Sequence, residues 1–223
     1  MQNLRYSLPV INRIYDEMLL PVRANTHNKE SQQKLTNNIY IKDVEFLYPA
    51  SSNPAIHAVN IQINNGSTVG FIGSSGAGKS TLIDVILGLL EPVKGQVLVN
   101  EIDIKNNIRS WQNRIGYVPQ SIYLTDDTLK NNIAFGVSEG EIDIKSVNDA
   151  ILQSQLKRFV EDLPQGIETM VGENGVRLSG GQRQRIGIAR ALYHHPSVLV
   201  LDEATSALDT ITESEVMDII ESL

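Results

Sequence analysis

Residues 73–81 read Gly73-Ser74-Ser75-Gly76-Ala77-Gly78-Lys79-Ser80-Thr81, and this stretch with its flanks decides how the chain folds. Gly73 and Gly78 enclose four residues and are followed at once by Lys and Ser, the spacing of a phosphate-binding loop. Glycines let the backbone turn tightly, so that successive amide N–H groups converge on an anion. The helix that follows adds its partial positive charge at the same place. Apolar Val69, Phe71 and Ile72 predict a short buried strand before the loop, and Lys79 to Leu90 predict a helix packed on it. In that setting Lys79 reaches the β- and γ-phosphates of a nucleotide, and the Ser80 hydroxyl ligates magnesium. As plain local structure the stretch would be a glycine-rich turn with an exposed lysine, but the flanking strand and helix favour the loop.

Val198-Leu199-Val200-Leu201 is an apolar run ending in Asp202 and Glu203. It suits a buried parallel strand that delivers carboxylates at its C-terminal end. There Asp202 would hold magnesium, directly or through water, and Glu203 would polarise an attacking water. Two acids at this place also suit the start of a following helix, where negative charge is favoured.

Leu178-Ser179-Gly180-Gly181-Gln182 opens a predicted helix that continues through Gln184, Ile186, Ala189 and Leu192. A hydroxyl and two glycines at a helix N-terminus make an anion site that another surface can approach closely. The plainer reading is that Ser179 simply caps its own helix.

In this order the three stretches are similar to those of the ATP-binding-cassette (ABC) ATPases, and the likeness extends into Gln182-Arg183-Gln184-Arg185 and Ala189-Arg190-Ala191-Leu192. The resemblance implies an α/β fold: a P-loop NTPase core of mainly parallel sheet, with an antiparallel β subdomain and a helical subdomain. It implies ATP and Mg2+ as cofactors, with residues 73–81 on the phosphates. It implies that Ser179, Gly180, Gly181 and Gln182 meet the γ-phosphate of ATP bound to an opposite copy. Tyr48, in Phe46-Leu47-Tyr48-Pro49, resembles the aromatic that stacks on adenine, although a strand-end core tyrosine would read the same way. Gln120, in Tyr117-Val118-Pro119-Gln120, matches the glutamine that contacts magnesium and senses the membrane partner. Ser206-Ala207-Leu208-Asp209 matches the loop that crosses the dimer interface. Thr169 to Gly175, and Trp111 to Gly136, resemble exporters that flip lipids or lipid-linked oligosaccharides or move peptides. Trp111 reads equally well as a core residue.

The chain has 223 residues, 41% hydrophobic and 20% charged, which suffices for one α/β core with an inserted helical lobe. It has no cysteine, so neither a disulfide framework nor thiol catalysis arises. A net charge of -7 argues against nucleic acid as the main partner, because duplex binders generally present a basic face. No run approaches the roughly 18 apolar residues of a membrane helix, and residues 1–20 are too polar for a signal peptide.

Leu4, Leu8, Ile11, Ile14, Tyr15 and Met18 recur at near-helical spacing. Residues 1–20 resemble the cytoplasmic end of the last transmembrane helix of single-chain exporters, and an unrelated amphipathic helix would show the same stripe. Residues 21–37 follow as a polar linker. Residues 38–223 are the expected ABC nucleotide-binding domain, incomplete at its C-terminus, since the family's switch histidine lies on a strand after the acid strand. His194 and His195 precede that strand and suit a helix C-terminus instead. Within the domain, Ile39 to Phe46, Ile56 to Ile63 and Val97 to Val99 predict antiparallel strands. Val69 to Ile72, Ile115 to Val118 and Val198 to Leu201 predict parallel ones. Residues 121–165 predict mainly helices, with Asp126-Asp127-Thr128 capping one that starts near Leu129.

The resemblance implies ATP hydrolysis between two copies of this domain, driving export or lipid flipping by a transmembrane domain at the cytoplasmic face of the inner membrane. Two other readings stay open on the residues alone. One is a cassette ATPase acting on nucleic acid or the ribosome; the other is a fragment that binds nucleotide without turnover.

Overall fold

Ile39–Phe46 is rich in β-branched and aromatic residues, its side chains alternate in burial, and the stretch is strand β1. Ile39, Ile41, Val44 and Phe46 point into the core. The alternation skips at Lys42 and Asp43, where the register shifts and Asp43 takes φ 51. That bulge returns Val44 to the buried face. β1 lies between β2 (Ile56–Ile63) and β3 (Lys94–Val99), and β4 (Ile102–Asp103) adds to β3, all antiparallel in the order β2-β1-β3-β4.

The structure is a computed structural model that describes residues 15, 38–49, 51–172, 178–202, 214 and 218. Two compact units divide the chain, Met1–Gln32 and Gln33–Leu223. In the first, Tyr15 is helical and exposed; the expected helix over 1–20 and the linker over 21–37 otherwise lie outside the described residues. All other elements below belong to the second unit.

Helix α1 (Lys79–Ile86) buries Leu82, Val85 and Ile86 against the antiparallel sheet. It is shorter than the run from Lys79 to Leu90 suggested. Gly88 at φ 70 takes the left-handed conformation that ends a helix, and Leu89 is turned out to solvent. Helix α2 (Ile108–Gln112) carries Trp111, 4% exposed, whose Nε1 donates to the Ile86 carbonyl at 2.7 Å. Trp111 is therefore a core residue that ties α2 to the end of α1. Trp111→Phe should destabilise the chain by about 1–3 kcal/mol, the usual cost of leaving a buried acceptor unpaired. A shift of the urea unfolding midpoint at unchanged slope measures it.

β5 (Ile115–Val118) and β8 (Val198–Leu201) pair in parallel, Ile115 with Val198 through Val118 with Leu201. Successive side chains serve opposite faces. Ile115 and Val198 join the cluster that contains α1, while Val118, Leu199 and Leu201 join a second cluster built by helices. Those helices are α3 (Leu129–Ile133), α4 (Ile144–Gln153), α5 (Lys157–Glu161) and α6 (Gly180–Leu192). Thr128 caps α3 by accepting from the Asn131 amide, as the Asp126-Asp127-Thr128 stretch predicts. Short strands β6 (Asp127–Thr128) and β7 (Met170–Val171) pair beside it.

The predicted strand over residues 69–72 does not form. Val69 is 42% and Ile72 97% exposed, and only Phe71 of the three apolar residues packs on a core. A strand is held by ladder partners for its backbone groups, and among the described residues no strand pairs with this one. Apolar composition alone does not supply them.

Candidate nucleotide site

Gly76 and Gly78 stand at φ 79 and 86, so the loop takes the left-handed turns its glycines permit. A Cβ on Gly78 would lie 2.5 Å from the Ala55 carbonyl oxygen, which closes that position to any side chain. Gly78 is also the N-cap of α1, and no side chain caps the helix. Its first amide groups thus lack the side-chain acceptor that most helix starts have. Lys79 folds back over the loop and donates from Nζ to the carbonyls of Gly73 at 3.0 Å and Ser74 at 3.1 Å. Ser74, Ser75, Gly76, Ala77 and Ser80 are exposed. An uncapped helix start, a cation held at its mouth and an open loop fit a phosphate group.

Tyr48 lies two residues beyond β1 and is 43% exposed, so it is not the core tyrosine that its strand-end position also allowed. Phe46 meets its ring edge-on at 4.9 Å, and its hydroxyl pairs with Thr81 Oγ1 at 3.1 Å. Tyr48 is therefore fastened to the same helix that starts at the loop.

Asp202 follows β8. Its amide donates to the Val118 carbonyl at 3.0 Å, and its Oδ2 accepts from the Tyr117 hydroxyl at 3.2 Å. Asp84, on α1, stands four residues after Ser80 and so shares its helix face. Burial, and then the charge of Asp202, raise the Asp84 carboxyl above its ordinary value. Burial likewise pushes the Tyr117 phenol up, followed by the charge of Asp202, its hydrogen bond and the charge of Asp84. The charges of Asp84 and Asp202 thus act on one another and on Tyr117. Gln120 is exposed two residues past β5, at the end of the parallel pair where Asp202 leaves β8. A hydroxyl, a carboxylate and a carboxamide are hard oxygen donors of the kind Mg2+ takes alongside phosphate. The residues fit the ion.

Ser179 caps α6: its hydroxyl accepts from the Gln182 amide at 3.1 Å, and Gln182 Oε1 accepts from the Ser179 amide at 2.8 Å. Ser179 and Gly180 are exposed. α6 packs in the helical cluster and α1 in the other, on opposite faces of the β5–β8 pair. Glu203, Asp209 and residues 173–177 lie outside the described residues. Sequence reasoning missed Tyr117 and Asp84. The four-residue step from Ser80 was a signal for Asp84; Tyr117 needed the register of β5 on β8.

Far along α6, Arg190 donates from Nε to the Asn132 carbonyl at 2.9 Å and from a terminal nitrogen to the Tyr123 carbonyl at 3.0 Å. Asn132, wholly buried, donates in turn to the carbonyls of Thr125 and Thr128. The stretch after Gln120 is thereby fastened to the helix that Ser179 starts.

A family model described as ABC transporter matches residues 56–206. The ATP-dependent lipid A-core flippase of Francisella novicida is 41% identical over 204 residues, which are 91% of this chain and 34% of that protein. ABC transporter B family member 29, chloroplastic, of Arabidopsis thaliana is 37% identical over 220 residues, 98% of this chain and 35% of that protein. Among solved structures, a bacterial Atm1-family ABC exporter with ATP bound superposes with TM-score 0.79 at 32% identity, covering 98% of this chain and 38% of that one. The chain spans about a third of the length of the curated relatives it matches. Its loop, acid strand and serine-capped helix thus stand in a P-loop NTPase fold shared with these proteins, and the chain belongs to the ABC transporter family as its nucleotide-binding domain.

Proposed function

We propose that this domain binds ATP with Mg2+ and hydrolyses it to drive export or lipid flipping by a membrane domain. The observation that carries the reading is the start of α1: uncapped, with a left-handed Gly78 at its mouth, and fronted by Lys79 on two loop carbonyls.

Bound phosphates would replace the Gly73 and Ser74 carbonyls as partners of Lys79 and take amides at the start of α1, which no side chain caps. Ser80 and Asp202, with Gln120, would hold Mg2+. The ion, when bound, neutralises charge on the phosphate oxygens. The Tyr48 ring, fixed by Phe46 and Thr81, would stack on adenine. Glu203 would orient the attacking water as general base. The start of α6, Ser179 to Gln182, would meet the γ-phosphate of a second copy, with Asp209 near that interface. The relatives named as exporter or flippase, about three times as long, support a transmembrane domain as partner and a site at the cytoplasmic face of the inner membrane. The net charge of -7 supports a reading without nucleic acid.

Purified with its membrane domain in lipid, the protein should release phosphate from ATP only with Mg2+ present, and a chelator should stop turnover. Nucleotide binding without Mg2+-dependent turnover would establish the binding-only alternative. Turnover stimulated by nucleic acid or ribosomes instead of the membrane domain would establish the other rival.

A further inference from the structure

We propose that Tyr117 is a positioning residue that sets the orientation of the Asp202 carboxylate toward a nucleotide-bound cation. The inference rests on the reading of Asp202 as a ligand of that cation and goes beyond it. Tyr117 and Val200 are opposite one another in the parallel pair, and Asp202 lies two residues past Val200. With a two-residue side-chain period, Tyr117, Val200 and Asp202 share one face of the sheet. Val118, Leu199 and Leu201 pack in the helical cluster on the other face. The shared face is therefore the one that α1 covers. A phenol donates and an ionised carboxylate only accepts, so the 3.2 Å contact runs from the Tyr117 hydroxyl to Oδ2 of Asp202.

That hydroxyl fixes one oxygen and leaves Oδ1 outside the contact. It also holds the carboxylate against the repulsion of Asp84, the second acid whose charge reaches this place. A carboxylate pinned at one oxygen presents the other in a single orientation. An unpinned one rotates and must be ordered when the cation arrives. Tyr117 thus contributes to cation affinity without touching nucleotide.

The test uses the full-length protein and Mn2+ as the probe, its binding to the protein–ATP-analogue complex followed by electron paramagnetic resonance. Tyr117→Phe keeps the ring and removes only the donor. It should weaken Mn2+ binding roughly three- to tenfold, the scale of ordering one carboxylate side chain that is no longer pinned. Analogue affinity in chelator should stay within about twofold, and kcat should recover at saturating Mg2+ while the Mg2+ requirement rises. Asp202→Asn should weaken Mn2+ binding more than Tyr117→Phe does. If Asp202→Asn weakens Mn2+ binding and Tyr117→Phe leaves it unchanged, the positioning role is overturned while Asp202 keeps its assignment. If Asp202→Asn has no effect on the cation, both fall. Loss of analogue affinity in chelator by Tyr117→Phe would reveal a general structural role and overturn the inference as well.

Discussion

Lys79→Ala should abolish ATP binding at micromolar nucleotide, lowering affinity by at least about a hundredfold. A lysine on phosphate makes charge-assisted hydrogen bonds worth about 1.5–3 kcal/mol each, and two of them account for that factor. The lysine's present partners, the carbonyls of Gly73 and Ser74, lie at an exposed loop where water can replace it. Folding should therefore survive, with a thermal melt close to that of the unaltered chain. Calorimetric titration with a non-hydrolysable ATP analogue reads the affinity. Unchanged affinity would remove Lys79 from the site and with it the reading of the loop.

Glu203→Gln, in the protein with its membrane domain, should keep ATP binding and lower turnover by at least about a hundredfold, the scale of a lost general base. The amide retains the shape of the side chain but does not take a proton from water. Two uncleaved nucleotides would then hold two domains together, so sedimentation with ATP and Mg2+ should show a stable dimer that ADP does not support. Normal turnover in this variant would reassign the base.

What the sequence made legible was local. The start of α6 reads directly from Ser179 and Gln182, because both partners of the capping box lie three residues apart. β8 reads from four consecutive apolar residues and α3 from Thr128 at its cap. The strand expected at 69–72 failed for the opposite reason: whether those residues form a strand depends on neighbours contributed by other parts of the chain. Tyr117 and Asp202 are 85 positions apart, and only the pairing of β5 with β8 makes them partners. The Thr81 hydroxyl under Tyr48 is likewise a meeting of β1 with α1. Motifs name the groups that meet a ligand, whereas the groups that hold them still come from register and packing.

Gly78 has a further consequence for how this sequence can drift. The residue serves the loop through its left-handed backbone and serves the fold through its closeness to Ala55, two demands met by one missing side chain. A substitution there loses both at once. Reshaping the loop alone would leave the clash, and moving Ala55 alone would leave the strained backbone. Suppressors at a distance should thus be rare for position 78. Within nine consecutive residues the chain joins a position held by backbone and packing together, Gly78, to positions such as Lys79 that answer to the ligand alone.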